Sequence, residues 1–173
     1  MRIALVIPPK DFRDESLSKV KTIFEKWNAE IAISSFTSHD CVGRHGAVYK
    51  PDINAAKLDP EEYDAIVLFD GVGVDTYKLF DFRPFLDIVK LFEINGKKIA
   101  AIGNAIKIIA RANIISNKRI SMPSDEESQR LVRLYRGIAS GKDVEVDGNI
   151  FTSGDPKNAD ALANKVLESL GAF

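Results

Sequence analysis

The sequence predicts an α/β fold, a mostly parallel sheet covered by helices on both faces, in one domain spanning residues 1–173. Three observations carry this. Ile3–Ile7 (IALVI), Ala65–Phe69 (AIVLF) and Ile99–Ile102 (IAAI) are unbroken apolar runs too short for helices, as strands buried on both faces are. Stretches with helical apolar spacing alternate with them, which is the pattern of parallel strands joined by crossover helices. The chain's 173 residues, 45% of them hydrophobic, suffice for a real core without disulfide or metal staples.

In chain order, Ile3–Ile7 is ended by Pro8-Pro9. Asp14 or Ser16 is expected to cap a helix whose apolar face is Leu17, Val20, Ile23, Phe24 and Trp27. Glu30–Ser34 alternates as a second strand. Residues 36–59 lack a helical period and predict irregular structure with short strand pieces. Asp59-Pro60-Glu61-Glu62 predicts a short helical turn before Ala65–Phe69, and Gly71-Val72-Gly73 a tight turn after it. Arg83–Ile94 predicts a helix with Phe85, Ile88, Val89 and Phe92 on one face and Pro84 in its first turn, where proline is tolerated.

Ile99–Ile102 leads through Gly103-Asn104 into a helix from Ala105, with Asn113 as its left-handed stop. Lys118–Ser121 predicts a short strand. Ser124 followed by Glu127 predicts a capping box for a helix carrying Leu131, Val132, Leu134 and Tyr135. Val144–Val146 and Ile150–Thr152 flank Asp147-Gly148-Asn149, a hairpin signal. Asp155-Pro156 opens a last helix with Ala159, Leu162, Val166 and Leu170 inward.

Composition narrows function mainly by exclusion. Lys plus Arg (24) nearly balances Asp plus Glu (25), so no nucleic-acid or membrane field is expected. No apolar run approaches the roughly 18 residues of a membrane span. Met1-Arg2 feeds directly into the first strand with no cleavage site behind it, so no leader is expected. The single cysteine forbids an internal disulfide and fits a reducing cytoplasm.

Several stretches together resemble the ThiJ/PfpI superfamily. They are Arg2–Ile7, Val42-Gly43-Arg44-His45-Gly46 with Lys50-Pro51-Asp52, Asp59–Val67 (DPEEYDAIV) and Val144–Ser153 (VEVDGNIFTS). The resemblance implies a class I glutamine amidotransferase-like, flavodoxin-like three-layer α/β/α sandwich with a C-terminal β-hairpin. It also implies homo-oligomers, as dimers or larger rings.

The departures fall where that family keeps its chemistry. Its elbow usually reads AICHG, with cysteine as nucleophile and histidine beside it; here Ala101-Ile102-Gly103-Asn104-Ala105 places Gly103 and Asn104 there. Its FEDxEL segment, whose acids approach the cysteine, reads Phe12-Arg13-Asp14-Glu15-Ser16-Leu17, with Arg13 and Ser16 at the glutamate positions. Its PGG turn reads Phe69-Asp70-Gly71, and Asp75 corresponds to an acid that some hexameric members supply from a neighbouring subunit.

Two readings follow. One is a pseudoenzyme without cysteine-dependent catalysis, serving as a binding or assembly subunit. Its small, anionic ligand would be held by Arg13, Glu15, Gly71, Gly103, Asn104 and Ala105, with unpaired amides and the Asn104 side chain at the elbow. The other is a hydrolase or lyase of the peptidase, glyoxalase or deglycase type, using Glu15, Asn104 or Asp75 in place of the thiol; glycine offers no thiolate. No cofactor is implied. Gly71-x-Gly73 has Thr76 where a dinucleotide loop needs its third glycine. Cys41, flanked by His39 and His45, lacks the ligands for a metal and reads as a small residue in a surface loop.

Overall fold

The computed structural model describes residues 1–173 and builds its sheet around the three apolar runs. Seven strands lie in the order β10-β11-β7-β6-β1-β2-β5. They are β1 (Arg2–Val6), β2 (Glu30–Ser35), β5 (Ile53–Asn54), β6 (Ala65–Leu68), β7 (Lys98–Ile102), β10 (Glu145–Asp147) and β11 (Ile150–Ser153). All neighbouring pairs are parallel except the β10–β11 hairpin, in which Val146 faces Phe151 across the Asp147-Gly148-Asn149 turn. Two small ladders complete the strands: β3 (Cys41–Val42) with β4 (Val48–Tyr49), and β8 (Arg119–Ile120) with β9 (Ile138–Ala139).

Strand alternation sorts the sheet's side chains into two cores, making three layers. Ile3, Leu5, Val67, Ala100, Ile102 and Phe151 pack against α1 (Asp14–Lys26) and α6 (Ala159–Ser169) through Leu17, Val20, Phe24, Leu162 and Val166. Ala4, Val6, Ile66, Leu68, Ile99 and Ala101 face the other way. There they meet α3 (Arg83–Ile94), α4 (Ile106–Arg111) and α5 (Glu126–Leu134) through Phe85, Val89, Ile106, Ile109, Leu131 and Val132. Each fully buried Leu, Val, Ile or Phe contributes about 1.5–3 kcal/mol of hydrophobic stabilisation, so both layers are needed to hold the strands in register.

Helix ends depart from the expectations where side chains are claimed elsewhere. Arg13, not Asp14 or Ser16, is the N-cap of α1. The Asp14 carboxylate instead accepts the backbone N–H groups of His45 and Ala47, both at 2.9 Å. Burial pushes its pKa up, but those two donors outweigh it and hold the carboxyl below its ordinary value. Trp27 ends α1 and leaves the core face, stacking on Phe173 at 4.9 Å. Asp125, not Ser124, caps α5 by accepting from the Ser128 N–H at 2.9 Å, while Glu127 turns away to the Lys107 ammonium. Leu134 is exposed rather than inward. Gly71-Val72-Gly73 is not only a turn: Gly71 leads into a short helix, α2 (Val72–Thr76). Cys41 is fully buried in β3 rather than lying in a surface loop. No helix is long and apolar enough to cross a membrane.

Candidate functional site

β1 has β2 on one side and β6 on the other, so the strand order reverses there, and crevices outside carboxyl strand ends at such a point are where open α/β sheets bind ligands. Three segments meet at that edge. Asp70-Gly71 follows β6, Asp11–Arg13 follows β1 and its proline pair, and Gly103-Asn104 follows β7.

Gly71 has φ +136°, and a Cβ there would run into the Asp11 carbonyl oxygen and approach the Phe12 Cα to 2.8 Å. Only glycine lets these two loops lie this close, through a bridge between Phe12 and Gly71 and an Arg13 N–H donated to the Asp70 carbonyl at 3.0 Å. Gly103 has φ +54° and opens a single 3₁₀ turn, Gly103–Ala105, ahead of α4.

Asn104 is committed to the scaffold. Its Oδ1 accepts the Gly71 N–H at 3.1 Å, and its Nδ2 donates to the Gly71 carbonyl at 2.7 Å and to Asp75 at 3.4 Å. The amide expected to grip an anion is thus closed on the neighbouring loop. Ala105 is fully buried, and α4, only six residues long, begins after it. Asp75 is also tied up: it pairs with Lys107, whose side chain is wholly buried. Lys107 reaches Glu127 at 3.3 Å and lies 4.4 Å above the Phe80 ring.

Glu15 points away from the elbow. Its carboxylate pairs with Arg13 and His45, each at 3.4 Å. These residues line a neighbouring pocket of about 240 Å³ with Asp11, Arg44, Gly71 and Val72. Arg13 alone of the expected charged residues also lines the elbow pocket, a cleft of about 190 Å³ bounded by Asp70, Gly71, Gly103, Asn104, Ser124, Asp125, Gly154 and Pro156.

The residue not singled out from the sequence is Asp70. It is only 3% exposed, its Oδ1 has no hydrogen-bond partner, and its Cβ lies 3.1 Å from where a Gly103 Cβ would sit. Burial pushes its carboxyl up from 3.8 to about 6, against the pull of the nearby Ser16 hydroxyl and Arg13 guanidinium. The Ser16 hydroxyl, itself buried, closes no well-formed hydrogen bond. A carboxylate that finishes an apolar strand, where the resembling family has glycine, was the available signal, alongside serine at a glutamate position.

A folded-state pKa raised above the unfolded one makes the native state hold a proton that the unfolded chain has released. Asp70 therefore favours folding most below about pH 4, and that contribution is lost as pH rises through about 6. Asp70→Asn is expected to stabilise the protein by about 3 kcal/mol at about pH 7.5, with the gain vanishing near about pH 4. Urea unfolding at both pH values checks this; an equal gain at both would mean that the Asp70 charge is not its source.

Residues 1–169 match the DJ-1/PfpI family. The chain belongs to that family. Similar proteins include MJ0967 of Methanocaldococcus jannaschii, 30% identical over 98% of this chain and 82% of that one. The deglycase PH1704 of Pyrococcus horikoshii is 25% identical over 96% and 98% of the two chains. The crystal structure of a ThiJ/PfpI domain protein from Brachyspira murdochii superposes with a TM-score of 0.92 at 29% identity, covering 99% of this chain and 97% of that one.

Gly103 lies at the turn between β7 and α4, and the chain's one thiol, Cys41, is buried in β3 with burial pushing its pKa up. No three His, Cys, Asp or Glu side chains cluster as a metal site requires.

Proposed function

We propose that this DJ-1/PfpI family member works without cysteine chemistry and binds a small polar molecule in the elbow pocket. The observation that carries the reading is the pairing of Gly103 with Asp70. The elbow turns through Gly103 in the left-handed conformation and offers no side chain, and a buried carboxylate stands against that position. In the terms of the family resemblance, a carboxylate has moved: Ser16 occupies a glutamate position and Asp70 a glycine position, on facing segments.

Asp70 also favours a second reading, a hydrolase or lyase with a replaced group. A carboxyl with a pKa of about 6 is suited to proton transfer near neutral pH. It has a stronger geometric claim than Glu15, Asn104 or Asp75, which are held in other contacts.

Deglycase and peptidase assays with and without iodoacetamide, together with ligand-observed NMR against small polar compounds, test the proposal. No thiol-sensitive turnover is expected, and bound compounds are expected to be lost in Ser124→Trp, which fills the pocket from its exposed rim. Turnover abolished by iodoacetamide and by Cys41→Ser would overturn it. Turnover insensitive to both but lost in Asp70→Asn would establish the second reading.

A further inference from the structure

The elbow pocket brings together one cationic side chain, Arg13, and two carboxylates, Asp70 and Asp125, in about 190 Å³. We propose that it binds a small zwitterion, an α-amino acid of a few heavy atoms, with its ammonium on Asp70 and its carboxylate on Arg13. This rests on the reading of the elbow pocket as a ligand site.

Asp70 carries most of the inference. Its Oδ2, 3.5 Å from where a Gly103 Cβ would sit, is the carboxylate oxygen nearer the elbow, and no side chain of the pocket donates a hydrogen bond to it. Asn104 spends its two donors on Gly71 and Asp75, Gly103 has no side chain, and the Ser16 hydroxyl closes no well-formed bond. The missing donor is what a ligand ammonium brings. Its three N–H groups can serve Asp70 and still leave one for a backbone carbonyl or for Asp125 at the rim.

Arg13 decides what the other end of the ligand carries. Its Nε faces Glu15 at 3.4 Å, and its side chain is half exposed where the pocket opens, so its remaining N–H groups are free for a second carboxylate. A simple anion would have to sit against Asp70 and Asp125. A simple cation would meet the Arg13 charge and leave its free N–H groups without an acceptor. A ligand with both charges, as an α-amino acid carries them on either side of its Cα, answers both sides. Glycine and alanine, the smallest α-amino acids, are the probes.

Isothermal titration calorimetry at about pH 7.5 tests this with glycine and L-alanine against glycolate, acetate and ethylamine. Glycine or alanine is expected to bind. Asp70→Asn and Arg13→Gln are each expected to weaken binding about ten-fold or more, the loss of one charge-assisted contact. Ser124→Trp is expected to abolish it. Glycolate or acetate binding as tightly as glycine would overturn the ammonium half. Ethylamine binding as tightly as glycine would overturn the carboxylate half. In either case, sensitivity to Ser124→Trp leaves the pocket standing as a ligand site. Binding of no probe overturns the zwitterion, and an NMR screen without any Ser124→Trp-sensitive compound then removes the pocket reading as well.

Discussion

Gly103→Cys is expected to destabilise the protein by about 3 kcal/mol and to create no active thiol. Placing cysteine at the elbow is the direct way to ask whether a thiol there could be active, but this backbone resists it twice. At φ +54° a side chain costs about 1–2 kcal/mol in left-handed strain. The new Cβ would also lie 3.1 Å from the Asp70 Cβ and 3.2 Å from the Pro156 Cγ. Both are tighter than ordinary packing, and overpacking of this kind costs about 1–3 kcal/mol. The thiol would then sit beside a carboxylate, which disfavours the thiolate. Adding Asn104→His worsens matters, because it removes both hydrogen bonds that join Asn104 to Gly71.

The cost is expected to fall when Asp70→Gly accompanies Gly103→Cys, since the crowding atom and the opposing charge leave together. A double-mutant cycle by urea unfolding should show a favourable coupling of about 1–2 kcal/mol, and thiol reactivity toward iodoacetamide should rise only in the double variant. Strict additivity, to within about 0.5 kcal/mol, would mean that Gly103 and Asp70 are independent changes. The reading of Gly103 and Asp70 as one coupled pair would then fail.

What could be read from the sequence followed locality. Arg83–Ile94 is a helix over the expected residues because its signals, Pro84 at the start and apolar residues on one face, lie within the helix itself. Asn113 stops the elbow helix segment in the left-handed conformation, φ 60°, for the same reason. Where a side chain is claimed from a distance, local rules misled. Ser124 and Glu127 have the spacing of a capping box, yet Glu127 serves Lys107 twenty residues earlier, and Asp125 takes the cap. Asp14 looks like a cap and instead ties down the loop at His45–Ala47.

The site was legible as a place but not as a chemistry. Gly103, Asn104, Gly71 and Arg13 do converge at one strand edge. Asp70 gained its importance only from what surrounds it, namely Arg13, Ser16 and the elbow at Gly103, which come from distant stretches of chain. Glu15 was attractive by register, but its salt bridges to Arg13 and His45 aim it at the adjoining pocket.

Removing both carboxylates that face Lys107 is expected to cost more than removing the lysine. The Lys107 side chain is wholly buried, whereas Asp75 and Glu127 are each about half exposed. In Lys107→Met the two acids simply rehydrate, the thioether fills most of the space and keeps contact with Phe80, and a loss below about 2 kcal/mol is expected. In the Asp75→Ala, Glu127→Ala double variant, an ammonium remains in the interior with only the Phe80 ring opposite it. An uncompensated buried charge of this kind costs about 3–5 kcal/mol. Combining the three changes should recover most of that loss, because no charge is then stranded. Urea unfolding of the three variants decides the order. If Lys107→Met proves the costlier change, the lysine is held for packing or for the elbow rather than by charge pairing. The same series reaches the site through Asn104, which Asp75 joins to this pair at 3.4 Å. Lys107→Met leaves the direct Asn104–Gly71 bonds in place, so ligand binding in the elbow pocket is expected to survive it even as the surrounding ion pairs are lost.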